Sequence, residues 1–176
     1  MIAHAIRFIL SNYSLTFLVV GLLCAVPSLF KYQGKTAAPV VFESFLAYYC
    51  LFTIGFSYFY NFVMHVFFAA RSAAFIGWAD SPFQYEVGFA SLGFAVVGFL
   101  AFKKDFGLRL AAVIGPAFFL WGAAGGHVYE MITRHNFSPG NAGVIFWMDL
   151  LIPVVGLFLL FGWRRSQSSS AGLSVS

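Results

Sequence analysis

Apolar residues run through this chain in long blocks, separated by short polar punctuation. A helix needs roughly 20 mainly apolar residues to cross about 30 Å of hydrocarbon. Five blocks reach that length, at about 12–30, 38–68, 82–103, 107–132 and 142–163, so the pattern predicts an all-α polytopic bundle of five transmembrane helices. The gaps carry turn and cap chemistry. Pro39 stands near a first helical position, Ser81-Pro82-Phe83-Gln84 reads as a capping box with proline at the first helical position, and Ser138-Pro139-Gly140-Asn141 reads as a turn. The second block holds 31 residues, roughly 46 Å of helix at 1.5 Å per residue, so it must tilt, kink or project beyond the lipid. Two shorter segments, 4–10 and 71–79, suit interfacial helices, the second anchored by Trp78. The first block is long, is followed by Lys31 and Lys35, and shows no small-x-small cleavage site, which favours a retained span over a signal peptide.

Composition agrees and removes the soluble classes. The 176 residues are 61% hydrophobic and 9% charged, with a mean hydropathy of +0.86. A soluble domain has about 45–50% apolar and about 25% charged residues. Cys24 and Cys50 lie inside apolar runs, where cysteine behaves as a small hydrophobe rather than as a disulfide framework or a thiol redox centre. Residues 1–165 therefore form one transmembrane domain, and the Ser-rich stretch 166–176 reads as a disordered polar tail.

Charge sets the expected orientation. Five crossings put the two termini on opposite sides. Lys31, Lys35, Lys103, Lys104, Arg109, Arg164 and Arg165 fall on one side, against Arg7, Arg71 and Arg134 on the other. The positive-inside rule then places the N-terminus outside and the C-terminus in the cytoplasm. The cations are scattered over short loops and form no patch, so nucleic acid is not an expected partner; the lipid bilayer is.

The informative residues are the polar ones inside the spans. An ionisable group there costs around 2.5–3.5 kcal/mol on insertion scales and normally faces the bundle interior or a watery cavity. Depth brings His65, Glu86, His127, Glu130 and Asp149 to the outer half, with His4 and His135 also on that side, while Glu43 sits near the inner surface. Asn61 and His65 share one helix face, as do His127 and Glu130. Glu130 near a helix C-terminus is opposed by the dipole and needs a cation, a metal or a proton beside it. Gly122, Ala123, Ala124, Gly125 and Gly126 before His127, and Gly88, Ala90 and Gly93 after Glu86, form the small-residue pattern of close helix packing in lipid.

Three readings of this cluster stay open. In the first, His65, Glu86, His127, Glu130 and Asn61 form a packing network, with Glu130 paired to Arg134 at i,i+4. In the second, His65, Glu86, His127 and Glu130 ligate a metal: two imidazoles and two carboxylates suit Zn, Fe or Mn better than Cu(I). His127-x-x-Glu130 is the reverse of the Glu-x-x-His pair of di-iron bundles. A bis-imidazole haem between His65 and His127 is a weaker variant. In the third, Glu43 and the outer cluster are two ends of a transport or proton path through Tyr48, Tyr49 and Tyr58, for which five spans without an inverted repeat would need to form a homo-oligomer. Gln84, His135, Asn136, Asn141 and Asp149 are supporting polar residues in each case, and a lipophilic small molecule is a further candidate partner. No motif names a reaction: Gly-x-Ser-x-Gly, the phosphate-binding loop and the dinucleotide fingerprint are missing from the sequence, and four histidines are too few for a histidine-rich di-iron desaturase.

Three segments carry a resemblance. Phe59-Tyr-Asn-Phe-Val-Met-His65, Phe75-Ile-Gly-Trp-Ala-Asp-Ser-Pro-Phe-Gln-Tyr-Glu86 with Val-Gly-Phe-Ala after it, and Gly126-His-Val-Tyr-Glu130 followed by His135-Asn-Phe-Ser-Pro-Gly-Asn-Ala-Gly143 resemble a family of small uncharacterised bacterial multi-span membrane proteins over roughly residues 40–160. The resemblance implies a bacterial inner-membrane location and supplies no activity. In size and layout the chain is also similar to the DoxX-like group, some of whose members are linked to quinone oxidation; that is analogy of layout alone.

Overall fold

The computed structural model describes residues 1–31 and 37–173, with side chains to residue 168. Among the described residues every regular element is helical. Five helices are long and apolar enough to cross a membrane: Tyr13–Lys31, Ala37–Phe67, Phe83–Ala101, Phe106–Arg134 and Pro139–Ser168, hereafter spans one to five. Each lies within a few residues of the block that predicts it, because in lipid the length of an apolar run is itself the structural signal. Lys35, counted above among the basic residues, lies outside the described residues. The last helix, Val144–Leu173, continues beyond Ser166, where the sequence suggests that a disordered tail begins.

Span two is the hub and packs against all four of the others. Its winding changes part-way along: Tyr49–Phe56 is π-helical between two α-helical halves. Such wide turns are rare and local. Here the wide turn coincides with the tightest crossing in the bundle. A Cβ placed on Gly98 of span three would lie 2.6 Å from the Gly55 backbone nitrogen and 2.9 Å from the Cys50 carbonyl oxygen, so backbone meets backbone where spans two and three cross. The small residues singled out from sequence behave differently. Gly88 packs against Val66, but Gly93, Gly122 and Gly125 have nothing within 4 Å of a Cβ position. The close approach lies at Gly55 and Gly98, and Gly122 and Gly125 of span four border open space instead.

The outside of the bundle is apolar. Phe89, Phe118, Phe158 and Phe161 are all more than half exposed, which in water would be an aggregation surface. The N-terminal helix Ile2–Ser11 buries none of its residues and shows Ile2, Ile6 and Phe8, as expected for a helix lying at an interface. The other expected interfacial segment is the helix Ala69–Ile76, which ends on Gly77 at φ 78°, but Trp78 is not merely a headgroup anchor: its indole N–H bonds across to Asn141.

One end of the bundle gathers basic side chains. Arg109, 2% exposed, donates from Nε to the Ala101 carbonyl and from Nη2 to the Phe102 carbonyl. Both carbonyls lie at the C-terminal end of span three, where the helix itself leaves carbonyls short of N–H partners; that of Ala101 also accepts the Lys104 N–H at 3.3 Å. The guanidinium also stacks 4.6 Å from the Trp163 ring and reaches Glu43 at 3.4 Å.

Candidate functional site

At the opposite end the polar residues of all five spans meet around a cavity of about 770 Å³. Its wall is mainly apolar and aromatic, with Phe75, Phe83, Phe118 and Phe119 contributing. Tyr13, Tyr58, Asn61, His65, Gln84, His127 and Asp149 contribute to the polar part, together with Arg71 and several serines.

Two networks hold the polar side chains. The first starts at Tyr13 on span one, whose O–H donates to Asn61 Oδ1 at 2.6 Å. Asn61 Nδ2 donates to Ser91 Oγ at 2.9 Å, and Ser91 O–H donates to the Val87 carbonyl at 2.7 Å. Each link fixes the direction of the next, so the Tyr13 proton is committed to Asn61. Beside this chain His65 Nδ1 meets Gln84 Oε1 at 2.6 Å.

The second network centres on Asn141, which is fully buried. Its Nδ2 donates to the carbonyls of His127 and Asn136. That leaves Oδ1 as the acceptor for Trp78 Nε1–H at 2.9 Å and for His127 Nδ1 at 2.8 Å. Because Oδ1 can only accept, His127 Nδ1 carries a hydrogen. The other ring nitrogen, Nε2, faces Asp149 Oδ2 at 3.4 Å, and one proton between those two atoms makes the pair neutral overall whichever atom holds it. Both residues are nearly enclosed, at 5% and 6% exposed. Pro153, four residues after Asp149, lacks the N–H that would otherwise bond the Asp149 carbonyl.

The four residues expected to ligate a metal are not gathered. His65 and His127 both line the cavity, but Glu86 is exposed on the opposite face of span three, two residues and about 200° round the helix from Gln84. Glu130 pairs with Arg134 at 3.3 Å, satisfying the dipole argument with a cation. Among the described residues no three His, Cys, Asp or Glu side chains come together to hold a metal. The capping box at Ser81 is also not formed, since the start of span three has no side-chain cap and the Gln84 amide goes to His65. The supporting residues carry more than expected. Gln84, Asn141 and Asp149 bind the two histidines directly, and Asn136 ties its loop to the carbonyls of Ile76 and Gly77. His135 is exposed and holds the left-handed turn that ends span four, at φ 52°.

Nor do the tyrosines form a continuous relay. The Tyr49 O–H donates to the Ile152 carbonyl, while the Tyr58 hydroxyl is buried with no partner among the described residues. Residues that sequence reasoning passed over are Tyr13, Ser14 and Ser91. The signal for Ser91 was present: Gln84, Gly88 and Ser91 recur at helical spacing and are all buried, a small and polar stripe on the face that Glu86 does not share.

The chain belongs to a family of unknown function, DUF6790, which matches residues 11–169. Neither a curated protein nor a solved structure matches it. The family match covers all five spans and every cavity residue named above, and agrees with the resemblance to an uncharacterised family.

Proposed function

We propose that this member of DUF6790 is a multi-pass membrane protein that binds a small lipophilic molecule in the cavity between its spans. The carrying observation is the cavity itself: about 770 Å³, inside the range of roughly 300–1,000 Å³ usual for small-molecule sites, apolar over most of its wall and polar at one end. A packing network alone would be expected to close around its polar groups, as Asn141 closes around its partners. Tyr13, Asn61 and Asp149 instead line the cavity. The orientation proposed with this reading puts the Arg109 end in the cytoplasm, supported by Lys103, Lys104, Arg109, Arg164 and Arg165 falling at the ends of spans three to five on that side. A reporter fused after Ser176 is then active in the cytoplasm; activity on the far side would reverse the labels.

Gly122 offers the test of binding. It lines the cavity, and nothing lies within 4 Å of where its Cβ would stand, so the side chain of Gly122→Leu starts into open space. Extraction of the purified protein from its host membranes should yield a lipophile at near one per chain in the wild type, reduced at least about tenfold in Gly122→Leu with helicity and melting unchanged. Equal recovery from both proteins would remove the cavity as the binding site.

A further inference from the structure

The charges around the cavity restrict the head group of its ligand, on the premise that the cavity is the binding site. Of the titratable side chains on the wall, the three tyrosines are neutral phenols at about pH 7. His65 donates from Nδ1 to Gln84 Oε1, which can only accept, so its ring is neutral or cationic and in no state an anion. His127 Nε2 and Asp149 Oδ2 face each other at 3.4 Å. Two lone pairs would repel there, so a proton lies between them, and because the Nδ1 hydrogen is already donated to Asn141 the pair carries no net charge. Arg71 is what remains on the wall. A guanidinium stays protonated in proteins, so the cavity presents an uncompensated positive charge and no uncompensated negative one.

Position makes that charge suited to a head group. Arg71 belongs to the helix Ala69–Ile76, in the connection between spans two and three, and it both lines the cavity and is exposed. It therefore stands where the cavity opens at this end of the bundle. Its guanidinium rests 5.6 Å from the centre of the Phe68 ring and, among the described residues, pairs with no carboxylate. Asp80, in the same connection, is exposed and lies off the cavity wall. Deeper in, the wall carries Phe118, Phe119, Leu120 and Ile152. Phe118 is nine residues from His127 along span four, roughly 13 Å of helix. A ligand that suits both ends has an oxyanion at the mouth and hydrocarbon beneath it. Arginine matches carboxylate and phosphate oxygens with paired N–H donors. A volume of about 770 Å³ is that of a site for one small molecule, which favours one chain over the two of a phospholipid.

We propose that the ligand is a single-chain lipophilic oxyanion, a carboxylate or phosphate, whose head pairs with Arg71 while its chain lies along Phe118 and Phe119. Because Arg71 is exposed its pairing is screened, and the charge preference expected is about fivefold, the upper end for an exposed ion pair. The full chain in phosphatidylcholine nanodiscs is photolabelled with a diazirine-bearing tetradecanol, a neutral probe, and the labelled peptides are mapped by mass spectrometry. Competitors are tetradecyl phosphate, tetradecanol and tetradecyltrimethylammonium at equal bilayer concentrations. Tetradecyl phosphate should displace the label from spans two, four and five about fivefold more effectively than tetradecanol, and the ammonium less effectively than either. Arg71→Gln should shrink the phosphate preference to about twofold or less with helicity unchanged, and Arg71→Lys, which keeps the charge, should retain most of it. A preference that survives Arg71→Gln removes Arg71 as the seat of the head. Equal competition by phosphate and alcohol, with labelling still lost in Gly122→Leu, overturns the anionic head and leaves the cavity reading standing. Displacement by phosphatidylglycerol as effective as by tetradecyl phosphate overturns the single chain. Labelling that avoids those spans, or that Gly122→Leu does not change, overturns the cavity reading and the head group with it.

Discussion

The two ends of this bundle bury polar side chains for opposite ends. Around Arg109 a single guanidinium joins the carbonyls of Ala101 and Phe102, the Glu43 carboxylate and the Trp163 ring, drawing three spans and a loop onto one side chain. Around His127 and Asp149 the polar groups are just as deeply placed, yet they line a cavity. The difference teaches how to distinguish a staple from a site where few polar residues are present. A staple directs its donors at backbone carbonyls that would otherwise lack partners. A site holds its side chains by their far atoms and leaves their near atoms on an open wall.

The largest effect that would sharpen this contrast is expected at Arg109. Arg109→Ala removes charged hydrogen bonds to two helix-end carbonyls and a stacked contact, and should cost about 3 kcal/mol of unfolding free energy, read as a shifted denaturation midpoint in detergent. If Arg109→Ala unfolds like wild type, the staple description is wrong. Next comes Asn141→Ala, which deletes four hydrogen bonds within one network. We expect about 2 kcal/mol of destabilisation, accompanied by a change in Trp78 fluorescence as its indole N–H loses its acceptor; an unchanged spectrum would separate Trp78 from the network.

A glycine pair tests the same contrast in the backbone. Gly98→Ala drives a methyl group into the backbone of Gly55 and should cost about 2 kcal/mol. Gly122→Ala, facing open space, should be neutral or stabilising by about 0.5–1 kcal/mol through helix propensity. Equal losses at both positions would mean that span four is packed as tightly as the crossing of spans two and three. The smallest effects are expected at the acidic residues that the structure leaves in the open. Glu43→Gln acts on a half-exposed partner of Arg109 and should cost about 0.5 kcal/mol or less. Glu86→Gln, exposed and away from the cavity wall, should leave both stability and recovered lipophile unchanged.

Much of this arrangement was legible in the chain. An apolar run about 20 residues long has few structural options in lipid, since its backbone must bond internally, and so the five spans follow from hydropathy alone. Depth along each helix follows from counting at 1.5 Å per residue, and that count alone brings His65, His127 and Asp149 to one level. The Glu130–Arg134 pair is likewise a matter of spacing on one helix. Rotation about each helix axis is a different kind of quantity. Glu86 and Gln84 differ by two residues and share a depth, but only packing against span two turns Gln84 toward His65 and leaves Glu86 outside. The metal ligand set failed on that point: depth was known and azimuth was not. The π-helical turn at Tyr49–Phe56 and the contact of Gly98 with Gly55 were equally hidden, because they arise from two backbones meeting, and a single sequence carries no record of which glycine meets which. Hydrophobic length, a local property, determined the number of spans and their ends. Which side chains face the cavity, and that His127 is held by Asn141 and Asp149 rather than by a metal, depended on helices remote in sequence, and only their packing together decided it.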